Sequence, residues 1–95
     1  MSLKKYDLIC VGEAIVDMIP LNDYMYKVAF GGSPMNTAVA ASKLGLKVGV
    51  LTSVGTDAFG DLLINTLRSH QIDISKVKRV PYRTTLAVVI KLVKG

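Results

Sequence analysis

Two helix-like segments, each punctuated at both ends and each lying between short β-type apolar runs, constrain this chain more than any other feature. Residues 6–11 end in Leu8-Ile9-Cys10-Val11 and are closed by Gly12, the pattern of a buried strand. Ser33 and Pro34 open the first helix. Serine is a favoured N-cap, and proline suits the first helical position because its missing N–H costs nothing there. Met35, Ala38, Val39, Ser42 and Leu44 place a mostly apolar stripe on one face, and Gly45 ends the helix as a left-handed C′ residue. Residues 47–54 make the next strand, turned by Gly55. Thr56 or Asp57 caps a second helix running to Ser69, with Phe59, Leu63, Thr66 and Leu67 as its buried stripe. Asp57 and Asp61 near its start and Arg68 and His70 at its end suit the helix dipole, which makes His70 a dipole partner rather than a catalytic group. Residues 77–80 form a short strand before a Pro81 turn, and residues 84–93 a β-branched one. Strand–helix–strand–helix–strand predicts an α/β fold: a parallel sheet with right-handed crossovers.

Residues 15–30 interrupt that alternation. Ile-Val-Asp-Met-Ile-Pro-Leu is extended, with Asp17 as its one charge. Pro20 has no N–H to donate, which puts the segment at an edge or outside the main sheet. Asn22-Asp23 is a turn and residues 26–30 a second strand, so a small hairpin projects from the domain.

Composition narrows the function classes. Apolar residues make up 51% of the chain before its 8 glycines are added, which exceeds the usual share and excludes disorder. The surplus predicts apolar surface covered by a partner chain or by more polypeptide. The longest uncharged run, residues 28–42, is too short and too broken by Gly, Ser, Pro and Asn to span a membrane. No apolar leader with a small-residue cleavage site follows Met1, so no signal peptide is expected. Cys10 is the one cysteine; it cannot form an intrachain disulfide, reads as a small core residue, and fits a cytoplasmic location. The net charge of +5 is concentrated late, where Arg68, Lys76, Lys78, Arg79, Arg83, Lys91 and Lys94 face Asp73 alone. A nucleic acid or an acidic surface is one reading of that block, and a solvated face the other. Aromatic residues are not interleaved with these charges and no nucleic-acid motif is present, so neither nucleic acid nor membrane is expected as a partner.

The informative segment for chemistry is Gly31-Gly32-Ser33-Pro34-Met35-Asn36. Paired glycines let backbone approach a ligand, and the helix behind them presents free N–H groups that accept anions and hydroxyl oxygens. Asn36, in the first turn, can both donate to and accept from a polyol; ionised Asp17 is acceptor-only and can hold two hydroxyls. Spacing alone leaves a second reading open, in which both residues only cap local backbone. Other chemistries lack their parts. There is no phosphate loop ending in Gly-Lys-Ser/Thr and no Gly-x-Gly-x-x-Gly after the first strand, so no dinucleotide cofactor is expected. His70 has no nucleophile elbow to serve, and Glu13, Asp17 and Asp23 lack the spaced oxygen ligands of a hard-metal loop.

Gly31-Gly32, Pro34, Asn36, Ala38, Gly45 and Gly55 stand at the spacing of the N-terminal signature of the ribokinase-like (phosphofructokinase-B type) carbohydrate kinases. The chain resembles that family along nearly all of its length. Gly-Glu-Ala-Ile-Val-Asp at 12–17 is similar to the family's first strand and acidic sugar ligand, and Val-Gly-Thr-Asp-Ala-Phe-Gly at 54–60 to its next strand-to-helix turn. The resemblance implies a partial Rossmann-like parallel sheet with flanking helices and a small β lid, its strands near 15–30 and 84–93. It implies that Asp17, Gly31, Gly32 and Asn36 bind sugar hydroxyls, with Ala87 and Val89 packing over the sugar face. It also implies a homodimer formed through the lid. Pro34 and the Gly-Glu-Ala opening are similar to the fructokinase-like branch; the ribose branch usually has Lys at Ser33 and Asn at Ile15, and 2-keto-3-deoxygluconate kinases share the Gly-Glu opening. Family members are much longer, and their catalytic Asp, nucleotide pocket and acidic Mg²⁺ motif lie downstream of the matched region. Residues 1–95 are therefore expected to be the N-terminal, sugar-side part of an ATP- and Mg²⁺-dependent kinase, inactive alone and holding no catalytic, cofactor-binding or metal-ligating residue. A non-catalytic sugar- or partner-binding module is the alternative.

Overall fold

The alternation of elements produces two sheets rather than one. The computed structural model describes residues 5–88. Along the chain run β1 (Leu8–Val11), β2 (Ile15–Pro20), β3 (Tyr26–Gly31), α1 (Ser33–Lys43), β4 (Val48–Gly55), α2 (Ala58–Ser69), β5 (Val77–Val80) and β6 (Thr85–Val88). β1, β4 and β5 form a parallel body sheet with β4 in the middle; β2 is flanked by β3 and β6 in a separate lid sheet.

Sequence dictates the body directly. In β4, Val48, Val50, Thr52 and Val54 are buried while Leu51 and Ser53 are exposed, the period-2 alternation of a strand covered on one face. The buried set clusters with Cys10, Met35, Ala38, Ala41, Leu63 and Leu67 from β1 and the two helices. Fully burying one such Leu, Val or Met side chain contributes about 1.5–3 kcal/mol, so the seam between sheet and helices dominates the core. Burial also raises the Cys10 thiol pKa by desolvation, as expected for a core cysteine. The Thr52 hydroxyl is buried with no hydrogen-bond partner among the described residues.

The ends of α1 differ from each other in how well the sequence foretold them. Gly45 is left-handed at φ 87; its N–H donates to Ser42 O (3.0 Å) and Leu46 N–H to Ala41 O (3.3 Å), closing a Schellman turn. At the start, Ser33 is not the cap. Gly32 takes that place at φ 97, its carbonyl accepting from Asn36 N–H at 3.0 Å, and Ser33 begins the helix with no side-chain cap bond. Backbone geometry that only glycine adopts cheaply replaces the expected hydroxyl. Leu44 is the C-cap and is 80% exposed, whereas Ala41 joins the buried stripe. The helix has already ended at Leu44, so its side chain leaves the apolar face.

In the lid, β2 and β3 pair antiparallel from Ile15–Gly31 to Pro20–Tyr26, and β2 pairs parallel with β6 from Ile15–Thr85 to Met18–Val88. Pro20 was expected to put its strand at an edge or outside the main sheet; β2 lies outside it, in the lid, where it is the central strand. Pro20 is tolerated because the described pairing with β6 ends at Met18, leaving no ladder donor missing on that side. Asn22 makes the hairpin turn, its Oδ1 accepting from Tyr24 N–H (2.8 Å) and Met25 N–H (3.0 Å). Residue 89 and the rest of the expected 84–93 strand beyond Val88 lie outside the described residues.

Candidate functional site

β2 carries Asp17 onto the lid face that also holds the neighbours across both ladders. Asp17 is in register with Ala29 of β3 and with Ala87 of β6, so these side chains share one face. Gly31 lies diagonally beside them. A Cβ at Gly31 would stand 2.8 Å from Asp17 Cγ, so the missing side chain is what leaves room for the carboxylate. Asp17 is half-buried. Among the described residues its carboxylate has no hydrogen bond and no ion pair. An acceptor-only group with its lone pairs unfilled, set over a glycine, is suited to hydroxyl donors.

The second glycine serves the backbone. A Cβ at Gly32 would approach Glu13 O to 2.7 Å, so the loop after β1 and the start of α1 pack directly on each other. Asn36 lies in the first turn of α1, exposed, and its side chain makes no hydrogen bond among the described residues. The structure thus brings Asp17, Gly31 and Ala87 together and sets Gly32 and Asn36 at the adjoining helix start. Val89 lies outside the described residues.

Sequence reading missed two features. Lys27 is in register with Ile19 and so shares the Asp17 face; the alternation 15, 17, 19 against 27, 29, 31 carried that signal. Thr84, only 5% exposed, ties the base of β6 to Asp57 at the start of α2. Asp57 Oδ1 also accepts from Gly60 N–H at 2.8 Å as the helix cap. These bonds, Thr84 first, hold the Asp57 carboxyl at about 2, below its ordinary value.

Three hollows among the described residues lie away from Asp17 and Asn36. One of about 400 Å³ sits where both helices end, lined by Lys5, Lys47, His70 and Asp73 among others. Lys5 there pairs with Asp73 at 3.7 Å and lies over the Tyr6 ring. A shallow one of about 510 Å³ lies over Val11 and Leu51 on the open face of the body sheet. The third, about 190 Å³, separates Val16, Val28 and Phe30 of the lid from Leu62, Leu63 and Thr66 of α2.

The profile of the pfkB family carbohydrate kinases matches residues 5–95. The chain belongs to this family. Family signature positions divide into two sorts in the structure. Ala38 is fully buried, Gly45 closes α1, and a Cβ at Gly55 would stand 2.6 Å from Thr84 N, so these three are architectural. Gly31 is buried beneath the Asp17 carboxylate, and Asn36 is exposed at the start of α1. The ATP-dependent 6-phosphofructokinase of Thermoanaerobacterium thermosaccharolyticum is 42% identical, matching 93% of this chain and 29% of that protein. A fructokinase of Rhizobium leguminosarum bv. trifolii is 35% identical over 93% of this chain and 28% of its own length. The crystal structure of the Vibrio cholerae O395 fructokinase in its fructose-, ADP- and calcium-bound form superposes with a TM-score of 0.83 at 34% identity, over 87% of this chain and 27% of that one. The α/β body with flanking helices and a β lid is therefore the ribokinase-like arrangement of these kinases, and the chain spans less than a third of their length.

Proposed function

We propose that residues 1–95 form the sugar-binding N-terminal part of an ATP-dependent sugar kinase of fructokinase type. The observation that carries this reading is the Asp17 carboxylate, without a partner among the described residues, standing over Gly31 and beside Ala87 at the foot of α1. In this reading Asp17 and Asn36 hold sugar hydroxyls, Gly31 and Gly32 let backbone approach the ring, and Ala87, followed by Val89, covers its apolar face. Nucleotide and Mg²⁺ chemistry would come from other groups. Among the described residues no three His, Cys, Asp or Glu side chains gather as a metal cluster. No helix of the described residues is long and apolar enough to cross a membrane. The free, buried Cys10 is compatible with the cytoplasm, and the exposed apolar side chains of the lid, Val28, Leu86 and Val88, suit pairing with a second lid in a homodimer.

A phosphorylated or acidic sugar is a second reading. Lys27 on the Asp17 face would meet an anionic group, and the 42% identical relative is named a 6-phosphofructokinase. A panel of fructose, fructose 6-phosphate, 2-keto-3-deoxygluconate, ribose and nucleosides, offered with ATP to the full-length protein, decides between them. With the preferred sugar, Asp17→Ala should raise sugar KM at least about tenfold, since one hydrogen bond to a charged group is worth about 1.5–3 kcal/mol. ATP KM should stay unchanged, and Asn36→Ala should act in the same direction more mildly. A rise in ATP KM at constant sugar KM would count against the whole assignment.

A further inference from the structure

Capping α2 requires only one oxygen of Asp57, and that oxygen has a second use. Oδ1 accepts from Gly60 N–H at 2.8 Å and from the Thr84 hydroxyl at 2.6 Å, while Oδ2 accepts from Thr84 N–H at 2.8 Å. The same Thr84 hydroxyl accepts from Gly55 N–H at 3.0 Å, at the end of β4. Gly55 is held from its other side by Arg79, whose Nε donates to Gly55 O at 2.9 Å and whose guanidinium pairs with Asp61 at 2.7 Å. Both glycines are sterically required: a Cβ at Gly55 would collide with Tyr82 O, and one at Gly60 with Gly55 O. The end of β4, the start of α2 and the base of β6 thus converge on two side chains.

β6 starts at the residue after Thr84, and it pairs only with β2 among the described residues. Its own burial is slight: Thr85, Leu86 and Val88 are exposed. Side-chain burial therefore adds little to the β2 ladder that sets Ala87 opposite Asp17, and the base of the strand needs a separate tie to the body. We propose that Asp57 and Thr84 are positioning residues, which clamp the sugar-facing strand β6 to the body so that Ala87 is held beside Asp17. The clamp rests on the sugar-kinase reading for its consequence but not for its existence.

Thr84→Val keeps the volume and β-branching and removes the hydroxyl; Thr84→Ser keeps the hydroxyl. Hydrogen exchange on the full-length protein reads the clamp without any substrate. In Thr84→Val the amides of residues 86–88 should exchange about tenfold faster while Val50 in β4 is unchanged, and Thr84→Ser should restore them. Equal protection in β6 for wild type and Thr84→Val overturns the proposal, as does equal acceleration at Val50. Asp57→Asn, which cannot accept through both side-chain atoms, should act as Thr84→Val does. With fructose and ATP, Thr84→Val should raise fructose KM about tenfold with kcat and ATP KM within about twofold, a split that general destabilisation does not produce. Should the wild type phosphorylate no sugar, the functional reading fails, and exchange in β6 still decides the clamp.

Discussion

Body and lid are held together by different forces. In the body, side chains from β1, α1, β4 and α2 close on one another, and Met35, Leu63, Leu67, Val50 and Val54 are among the largest fully buried residues. Among the described residues of the lid only Val16 reaches that state; β3 is exposed over Tyr26, Lys27 and Val28, and a hollow of about 190 Å³ remains between the lid and α2. The lid keeps its shape through strand register; Val16, with Met18 and Phe30 packed alongside, seats β2 and β3 on the body core, while the Asp57–Thr84 joint ties down the base of β6. Burial dominates the first region, whereas ladder and clamp add to a thinner buried contact in the second, and the candidate ligand face belongs to the second. Substitutions should therefore separate stability from recognition.

The largest expected effect tests the body. Leu63→Ala, at a site 1% exposed, should cost about 2–5 kcal/mol in denaturant unfolding. Leu86→Ala in the lid, 43% exposed, should cost less than about 1 kcal/mol. Comparable losses would mean that β6 is held by burial as firmly as α2 is, and the difference between body and lid would disappear.

The same contrast explains what the sequence revealed. Body elements were legible because their signals are local: apolar alternation in residues 48–54, the Asp57 cap, and Gly45 at the end of α1. The failures are long-range or geometric. Ser33 looked like a cap because its hydroxyl is suited to one, but the positive φ of Gly32 ended the strand and started the helix one residue earlier. Pro20 rightly put its strand outside the main sheet, but nothing nearby in sequence told that β6 would pair with residues 15–18 and make β2 the central strand of the lid. Asp57 was legible as a cap, yet its partner Thr84 lies 27 residues away, beyond the reach of any local pattern. For the site, the paired glycines and Asp17 were visible as types at a spacing; that Asp17 stands on Gly31 required the antiparallel register.

Acid sharpens the comparison, because each region has one carboxylate held at about 2. In the body Asp73 is lowered first by the Tyr6 hydroxyl, then by Ser75 N–H and nearby Lys5; at the lid joint Asp57 is lowered by Thr84 and Gly60. An unfolded Asp titrates near 3.9, about where these contributions begin to fade. Both folded values are depressed, so the stability they contribute is fully present above about pH 4 and is lost as pH falls towards 2. Exchange in residues 86–88 should accelerate through that window, and tyrosine emission should report release of Tyr6. Asp57→Asn should abolish the pH dependence of β6 and leave that of Tyr6 intact. Simultaneous loss of both signals in this variant would show one cooperative unit instead of two regions.

The smallest effect lies wholly within the body, where α1 and α2 end alike. Gln71 N–H donates to Arg68 O at 2.9 Å and Ile72 N–H to Leu67 O at 3.1 Å, the same turn that Gly45 and Leu46 make on α1. Gln71 adopts φ 59 to do so, a conformation that costs an L-residue about 1–2 kcal/mol. Glycine would remove that cost at an entropic penalty of about 0.5–1 kcal/mol, so Gln71→Gly should stabilise by roughly 0.5–1 kcal/mol. The reciprocal Gly45→Ala should destabilise by about 1 kcal/mol through backbone strain alone, since a Cβ there meets nothing within 4 Å. Thermal melts of the two variants should shift in opposite directions, with sugar KM equal to wild type in both. A change in KM from either would mean that helix ends at the far side of the body reach the lid, and that stability and recognition are coupled after all.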